Sequence, residues 1–180
     1  MLFRSLAERS TPLSPSTLYG VCKHGVHNIL AAFARQAGIS IAWGRPFYLY
    51  GPREHCQRLV PSVCLSLLRG EEARCTHGEQ IRDFLYVEDV ASAFVQLLDS
   101  EITGAVNIGS GEGVPIKKVI EAIAATLGRM DLVRLGALPA PTGEPPELVA
   151  DVGRLTHELG WRRSVSLDEG LARTIAWWKS

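Results

Sequence analysis

The spacing of apolar and polar residues divides the chain into helical and extended stretches that alternate from end to end. Ser14-Pro15-Ser16-Thr17 is a run of turn and cap residues, and it predicts the start of a helix. Val26, Ile29, Leu30 and Phe33 recur at helical spacing, giving that helix one apolar stripe, expected to be buried, with Gly38 as the closing residue. Ile39 to Trp43 is short and β-prone, and Arg45 to Tyr50 extends it to a turn at Gly51-Pro52. Pro61 opens a second helix, which carries Val63, Leu65, Leu67 and Leu68 before Gly70. Phe84 to Val87 reads as strand, Asp89 as the cap of a helix running to Leu98, and Ala105 to Ile108 as strand ending in Gly109-Ser110-Gly111. From Pro115 to Leu127 the pattern is helical again, with Ile116, Val119, Ile120, Ile123 and Leu127 on one core-facing stripe before Gly128.

The tail alternates less clearly. Leu132 to Leu135 is extended, residues 136–147 form a Pro/Gly loop, and Asp151 to Leu159 reads as a short helix. Ser166-Leu167-Asp168-Glu169 fits a capping box before a last helix to Trp178. Helices alternating with short apolar strands predict an α/β layer structure with crossover connections.

Composition narrows the function without naming it. In 180 residues, 19 Lys plus Arg balance 19 Asp plus Glu. A net charge of zero lacks the electrostatic footprint of a nucleic-acid or membrane-surface binder. No apolar run approaches the roughly 18 residues of a membrane span, and Arg4 arrives too early for a secretory signal. Cys22, Cys56, Cys64 and Cys75 form no CxxC pair, which fits reduced thiols in a cytoplasmic protein. Cys22, His24 and His27 make a weak metal set without a partner carboxylate; no metal site is expected, and the histidines read as an exposed helical face. His55 and Cys56 fall in a loop that either touches ligand or is solvated.

Tyr19 and Lys23 stand one helical turn apart on the same face. A free phenol titrates near pKa ~10 and is a poor base at neutral pH. A lysine cation beside it favours the phenolate, which can then take a proton from an alcohol while hydride leaves the carbon. The bland alternative is a tyrosine that packs and a lysine that snorkels.

Around this pair the residues Ser14 to Lys23 resemble the catalytic segment of the NAD-dependent epimerase/dehydratase family, the extended short-chain dehydrogenases. Three further blocks follow in that family's order: Gly44-Arg45-Pro46-Phe47-Tyr48-Leu49-Tyr50-Gly51-Pro52, Ile81-Arg82-Asp83-Phe84-Leu85-Tyr86-Val87-Glu88-Asp89-Val90-Ala91, and Val106-Asn107-Ile108-Gly109-Ser110-Gly111. The resemblance runs from about residue 8 to the end, closing with Leu159-Gly160-Trp161 and Trp177-Trp178. It implies a partial Rossmann-like parallel sheet with a smaller α/β substrate-binding lobe, within a single compact unit over residues 1–180. Residues 8–52 and 84–109 would be the remnant of the dinucleotide-binding sheet, and 53–83 with 110–180 the substrate lobe.

Roles are implied residue by residue. Tyr19 would be the acid/base and Lys23 its tuning cation, holding the nicotinamide ribose of NAD or NADP, with Pro46, Phe47 and Tyr48 lining the nicotinamide. Arg82 would pair with the diphosphate of a nucleoside-diphosphate sugar, work suited to a fixed cationic fork; otherwise it is a surface arginine paired to Asp83 or Glu79. Arg58 and Leu59 stand where the family clasps the diphosphate, Phe84 where an aromatic meets the nucleotide, and Glu144 where an acid meets ribose. The helix over 17–37 would be half of a dimerising four-helix bundle, so its stripe predicts a homodimer.

The sequence also departs from the pattern. Tyr48 and Arg58 replace asparagines, and Pro141 stands where relatives carry a phosphate-binding arginine, leaving Arg134 or Arg58 to supply that charge. No GxxGxxG turn, which would offer helix N–H groups to a pyrophosphate, follows a strand anywhere, so the chain looks like the C-terminal portion of such an enzyme. Thr17 and Leu18 stand where dehydratases carry an Asp-Glu pair, which favours epimerase or 4-keto-sugar reductase chemistry. The rivals are a non-catalytic nucleotide-sugar-binding or structural fragment, and a partial reading of a longer gene.

Overall fold

The computed structural model describes residues 6–180. Helix α1 (Leu18–Ala37) begins where Thr17 accepts a hydrogen bond from the Gly20 amide and ends on Gly38 at φ 67°, the left-handed closure glycine takes without strain. Two short strands follow, β1 (Ala42–Pro46) and β2 (Tyr48–Tyr50). Then come α2 (Leu59–Leu68), β3 (Ala73–Arg74), β4 (Ile81–Arg82), β5 (Phe84–Tyr86) and α3 (Val87–Leu98). The remaining elements are β6 (Gly104–Ile108), β7 (Val114–Pro115), α4 (Ile116–Leu127), β8 (Val133–Arg134), β9 (Glu147–Leu148) and α5 (Leu167–Lys179).

The strands pair mostly in parallel, as crossover connections require. β1 pairs with β6, placing Gly44 opposite Val106, and β2 pairs with β5, placing Tyr48 opposite Phe84. Between the two ladders the chain changes partners at a single residue. The Phe47 amide donates to Ile108 O and the Tyr48 amide to Asp83 O. Gly44 is required by a close approach, because a Cβ there would overlap the Phe94 ring of α3 and Ile108.

Two hydrophobic cores lie on either side of β5. Phe84 and Tyr86 join Tyr50, α2, α4 and α5 in one, while Leu85 points into the other with α3, Val106 and Ile108. Period-two alternation along the strand produces this division. Leu155, Leu159 and Trp161 of the tail also enter the second core, against β6 and α3. Leu155 lies in a π-helical turn over Arg154–Glu158, where a short helix was expected, and Leu159 and Trp161 follow it.

Several elements differ from their sequence reading. Asp89 is not the cap of α3; Tyr86 occupies that position, and Asp89 lies buried in the first turn. Its carboxylate accepts from the Ser164 amide at 2.9 Å, the Ser164 hydroxyl at 2.7 Å and the Val165 amide at 3.0 Å, tying the tail to α3. Ser166 does accept from the Glu169 amide, but the Glu169 carboxylate turns away to Arg173. The α1 stripe is not buried: Ile29 is 68% exposed and Phe33 56%, because within this chain α1 packs only its other side.

Candidate active site

The change of strand partners at Phe47 brings two concavities together. One is a groove of about 420 Å³ beside α1, lined by Lys23, His24, His27, Trp43, Arg45 and Phe47. The other is a cleft of about 610 Å³ lined by Phe47, Tyr48, Glu54, Arg58, Leu59 and Phe84. Phe47 is common to both.

In the groove, Lys23 has no ion-pair partner among the described residues, and its Nζ lies 5.6 Å from the centre of the Tyr19 ring. Tyr19, in the first turn of α1, is 73% exposed and is not among the residues lining the groove. The histidines are not the open face that sequence suggested. His27 stacks on Trp43 with ring centres 5.0 Å apart, and His24 takes a 3.3 Å contact from Asn28. Burial first, then the Arg45 and His24 charges, lower the His27 pKa from its ordinary value. Pro46, the last residue of β1, is exposed and is not among the residues lining the groove or the cleft.

The cleft wall is aromatic. The Tyr48 and Phe84 rings lie 5.9 Å apart across the β2–β5 ladder, and Tyr50, deeper, donates to Leu167 O at 3.2 Å. Burial pushes the Tyr50 phenol well above its ordinary pKa, so it serves as a neutral strut. Arg58 is the exposed N-cap of α2, and Leu59 begins that helix.

Arg82 is neither a surface residue nor paired to Asp83 or Glu79. It is fully buried behind Tyr48, donating from Nε to the Tyr48 hydroxyl at 3.1 Å and from Nη1 to Ile81 O at 2.8 Å. Its Nη2 lies 2.6 Å from Glu144 Oε1 as an ion pair without the alignment of a hydrogen bond. Gln80 holds the other Glu144 oxygen at 3.2 Å. Thus Tyr48, Phe84, Arg82 and Glu144, scattered in sequence, form one connected wall. Arg134 does not reach it, being bound to Glu72 at 2.9 Å on β8, so Arg58 is the arginine at the cleft surface. Pro141 lies with Glu144 at the far side.

The wall is held by Asp83, next to Arg82 and fully buried. Its Oδ1 accepts from the Ser110 amide at 2.7 Å and hydroxyl at 2.6 Å, and Oδ2 from the Gly111 amide at 3.0 Å and the Ala150 amide at 3.1 Å. A four-bonded buried carboxylate explains why Arg-Asp-Phe and Gly-Ser-Gly occur together: one segment supplies the acceptor and the other the donors.

A sequence model of the NAD dependent epimerase/dehydratase family matches residues 4–109. The chain belongs to that family. This family member is 29% identical over 171 residues to UDP-glucuronic acid decarboxylase 1 of Xenopus tropicalis, covering 93% of this chain and 40% of the relative. The structure of UDP-glucose 4-epimerase from Thermotoga maritima with UDP-glucose superimposes with a TM-score of 0.88 at 28% identity, over 97% of this chain and 57% of that one. A dTDP-glucose 4,6-dehydratase from Streptomyces venezuelae, with NAD bound, gives a TM-score of 0.87 at 28% identity over 97% and 54%. The chain therefore spans about half the length of the relatives it matches. The family's Rossmann-like α/β fold is the fold of this chain.

One cleft residue escaped the sequence. Glu54 follows the Gly51-Pro52 turn and looks like any loop acid, yet its side chain is partly buried and lines the cleft. Only the packing of β2 against α2 shows this. No helix of the described residues is long and apolar enough to cross a membrane.

Proposed function

We propose that this chain carries the acid–base and sugar-binding machinery of a nucleoside-diphosphate-sugar oxidoreductase of the epimerase/dehydratase type. The observation that carries the reading is the meeting at Phe47 of the Lys23 groove with the arginine- and aromatic-lined cleft. The groove suits the nicotinamide end of NAD. It is largely apolar, with the unpaired Lys23 ammonium and Phe47 in its lining, and Pro46 and Tyr48 flank Phe47 along the chain. NAD, when bound, would take up hydride from the carbon that bears the reacting hydroxyl.

In this reading Tyr19 takes the proton of the sugar 4-hydroxyl, and Lys23 favours the phenolate electrostatically. Arg58 meets the diphosphate at the cleft surface, while Leu59 and Phe84 form the apolar wall beside the nucleotide. Arg82 adds positive potential from behind Tyr48 and reaches a phosphate directly only if Glu144 releases it. Glu144 is then free for a ribose hydroxyl. Residues 8–52 and 84–109 serve the cofactor side, with 53–83 and most of 110–180 on the sugar side. The exposed α1 stripe is covered by a second copy of the chain. The setting is cytoplasmic, in keeping with four cysteines that form no disulfide.

Calorimetry with NAD, NADP, UDP-glucose and dTDP-glucose, followed by product analysis, tests the reading. Conversion should fall by about 100-fold or more in Tyr19→Phe, the scale of a lost general base, with sugar-nucleotide affinity kept. Sugar-nucleotide binding with neither cofactor binding nor turnover would instead favour a binding module, a reading supported by a cleft built from this chain's residues.

A further inference from the structure

We propose that Glu54 is a ligand contact in the cleft, its carboxyl exchanging a hydrogen bond with a hydroxyl of the nucleoside-diphosphate sugar. The inference rests on the function proposed above and adds a recognition residue to it. Glu54 lies between the turn that closes β2 and the start of α2. Arg53 before it has φ 64°, a left-handed conformation that a residue with a side chain rarely adopts. At this bend Arg53 is exposed, while Glu54 lines the cleft. Its Oε2 is buried without a hydrogen-bond partner. Buried polar atoms are nearly always paired, and one left unpaired in a side chain that lines a ligand-sized cleft gains a donor when the carboxyl turns toward a bound ligand.

The chemistry of that donor follows from the surroundings. The cleft that Glu54 lines also presents Tyr48 and Tyr50 on β2, Phe84 on β5, His55 in the same loop and Arg58 at the cap of α2, and Cys64 on α2 feels the Glu54 charge. Arg58 is the cation whose charge acts on Glu54, but it forms no ion pair with it among the described residues. Burial pushes the carboxyl up to about 7 against the smaller opposing pull of Arg58. Near neutrality the group therefore both donates and accepts, the match for a hydroxyl, which does the same. A phosphate, acceptor only and anionic, is a poor partner for it and belongs with Arg58. The hydroxyl is on the sugar or on the ribose.

The test is calorimetric titration of the whole chain, Glu54→Ala and Glu54→Gln with UDP-glucose, dTDP-glucose, UDP and dTDP at pH 6 and 8.5. Glu54→Ala should weaken nucleotide-glucose binding about 10-fold, the scale of one hydrogen bond from a partly charged group. A loss confined to the glucose-bearing ligands assigns the sugar hydroxyl, and an equal loss for UDP assigns the ribose. Wild-type affinity should fall from pH 6 to pH 8.5 as the carboxylate forms beside an anionic ligand. Glu54→Gln should show no such fall and should bind within about 3-fold of wild type at pH 6. If Glu54→Ala does not fold, this pH comparison alone decides. Wild-type binding with an unchanged Glu54→Ala, or with the same pH profile in Glu54→Gln, overturns the role of Glu54 alone, because water would then be its partner. Failure of the wild type to bind any of the four nucleotides overturns the functional reading as well.

Discussion

Asp83 should be the costliest single polar residue to alter near the cleft. Its two oxygens receive three backbone amides and one hydroxyl, all at 3.1 Å or less, in a site with no solvent exposure. Asp83→Asn keeps the shape and replaces one oxygen by an amino group, which then faces either the Gly111 and Ala150 amides or the Ser110 amide beside a hydroxyl that can turn to accept. A hydrogen bond to a charged acceptor is worth about 1.5–3 kcal/mol net. At least one such bond is lost outright, the others weaken because the acceptor is no longer charged, and bonds in one network are not additive. About 3 kcal/mol is a reasonable central figure, in line with breaking a buried charged cluster. In urea, with a slope of about 2 kcal/mol/M, the midpoint should fall by about 1.5 M. Ser110→Ala removes only the hydroxyl and should cost about 1 kcal/mol, or roughly 0.5 M. Because Asp83 adjoins Arg82, the asparagine variant should also weaken nucleotide binding under conditions where it is still folded. A midpoint shift under about 0.3 M for Asp83→Asn would refute the reasoning, since the donors would then have found other partners.

Two further outcomes follow from groups already described. The Glu54 carboxyl titrates at about 7 in the fold against an ordinary 4.5, so the native state holds the extra proton between those values and stability falls as pH rises through that window. Thermal melts should therefore show Glu54→Gln more stable than wild type at pH 8 and equal to it near pH 4.5; a difference that does not change with pH would refute the burial argument. Light scattering should give a dimer of the 19.6 kDa chain, reduced to monomer by Ile29→Glu or Phe33→Glu on the exposed α1 face. A wild-type monomer would remove the second copy from the proposal.

The local signals in the sequence were those that depend on near neighbours. Thr17 and Gly38 bound α1 because capping and left-handed closure are decided within a few residues. The core stripe of α4 was legible for the same reason, with Val119, Ile120 and Ile123 fully buried. Asp89 misled because an acid at a helix start usually caps, whereas here it reaches 75 residues along the chain to Ser164. Long-range pairing was equally invisible for Arg82, whose partner Glu144 lies in a Pro/Gly loop with no periodicity to place it. The α1 stripe is apolar as its spacing predicts, yet exposed within this one chain. Periodicity reports which residues share a face, not what meets that face. Glu54 left no pattern at all, since an isolated acid in a loop acquires its character only from the wall that folds against it.

The alternation along β5 reaches beyond the cleft. Three residues serve two hydrophobic interiors, so neither interior can come apart while the other keeps its strand. Partial opening that freed Phe84 and Tyr86 would also pull Leu85 from its place, and a one-residue slip would exchange every side chain between the two faces. The two interiors are thus fastened into one cooperative unit by a strand of three residues. Within it Phe84 faces the cleft as part of its aromatic wall, while Leu85 packs against α3 on the other side. Substitutions there should be felt at once in folding and in recognition, leaving the strand little freedom to drift in sequence.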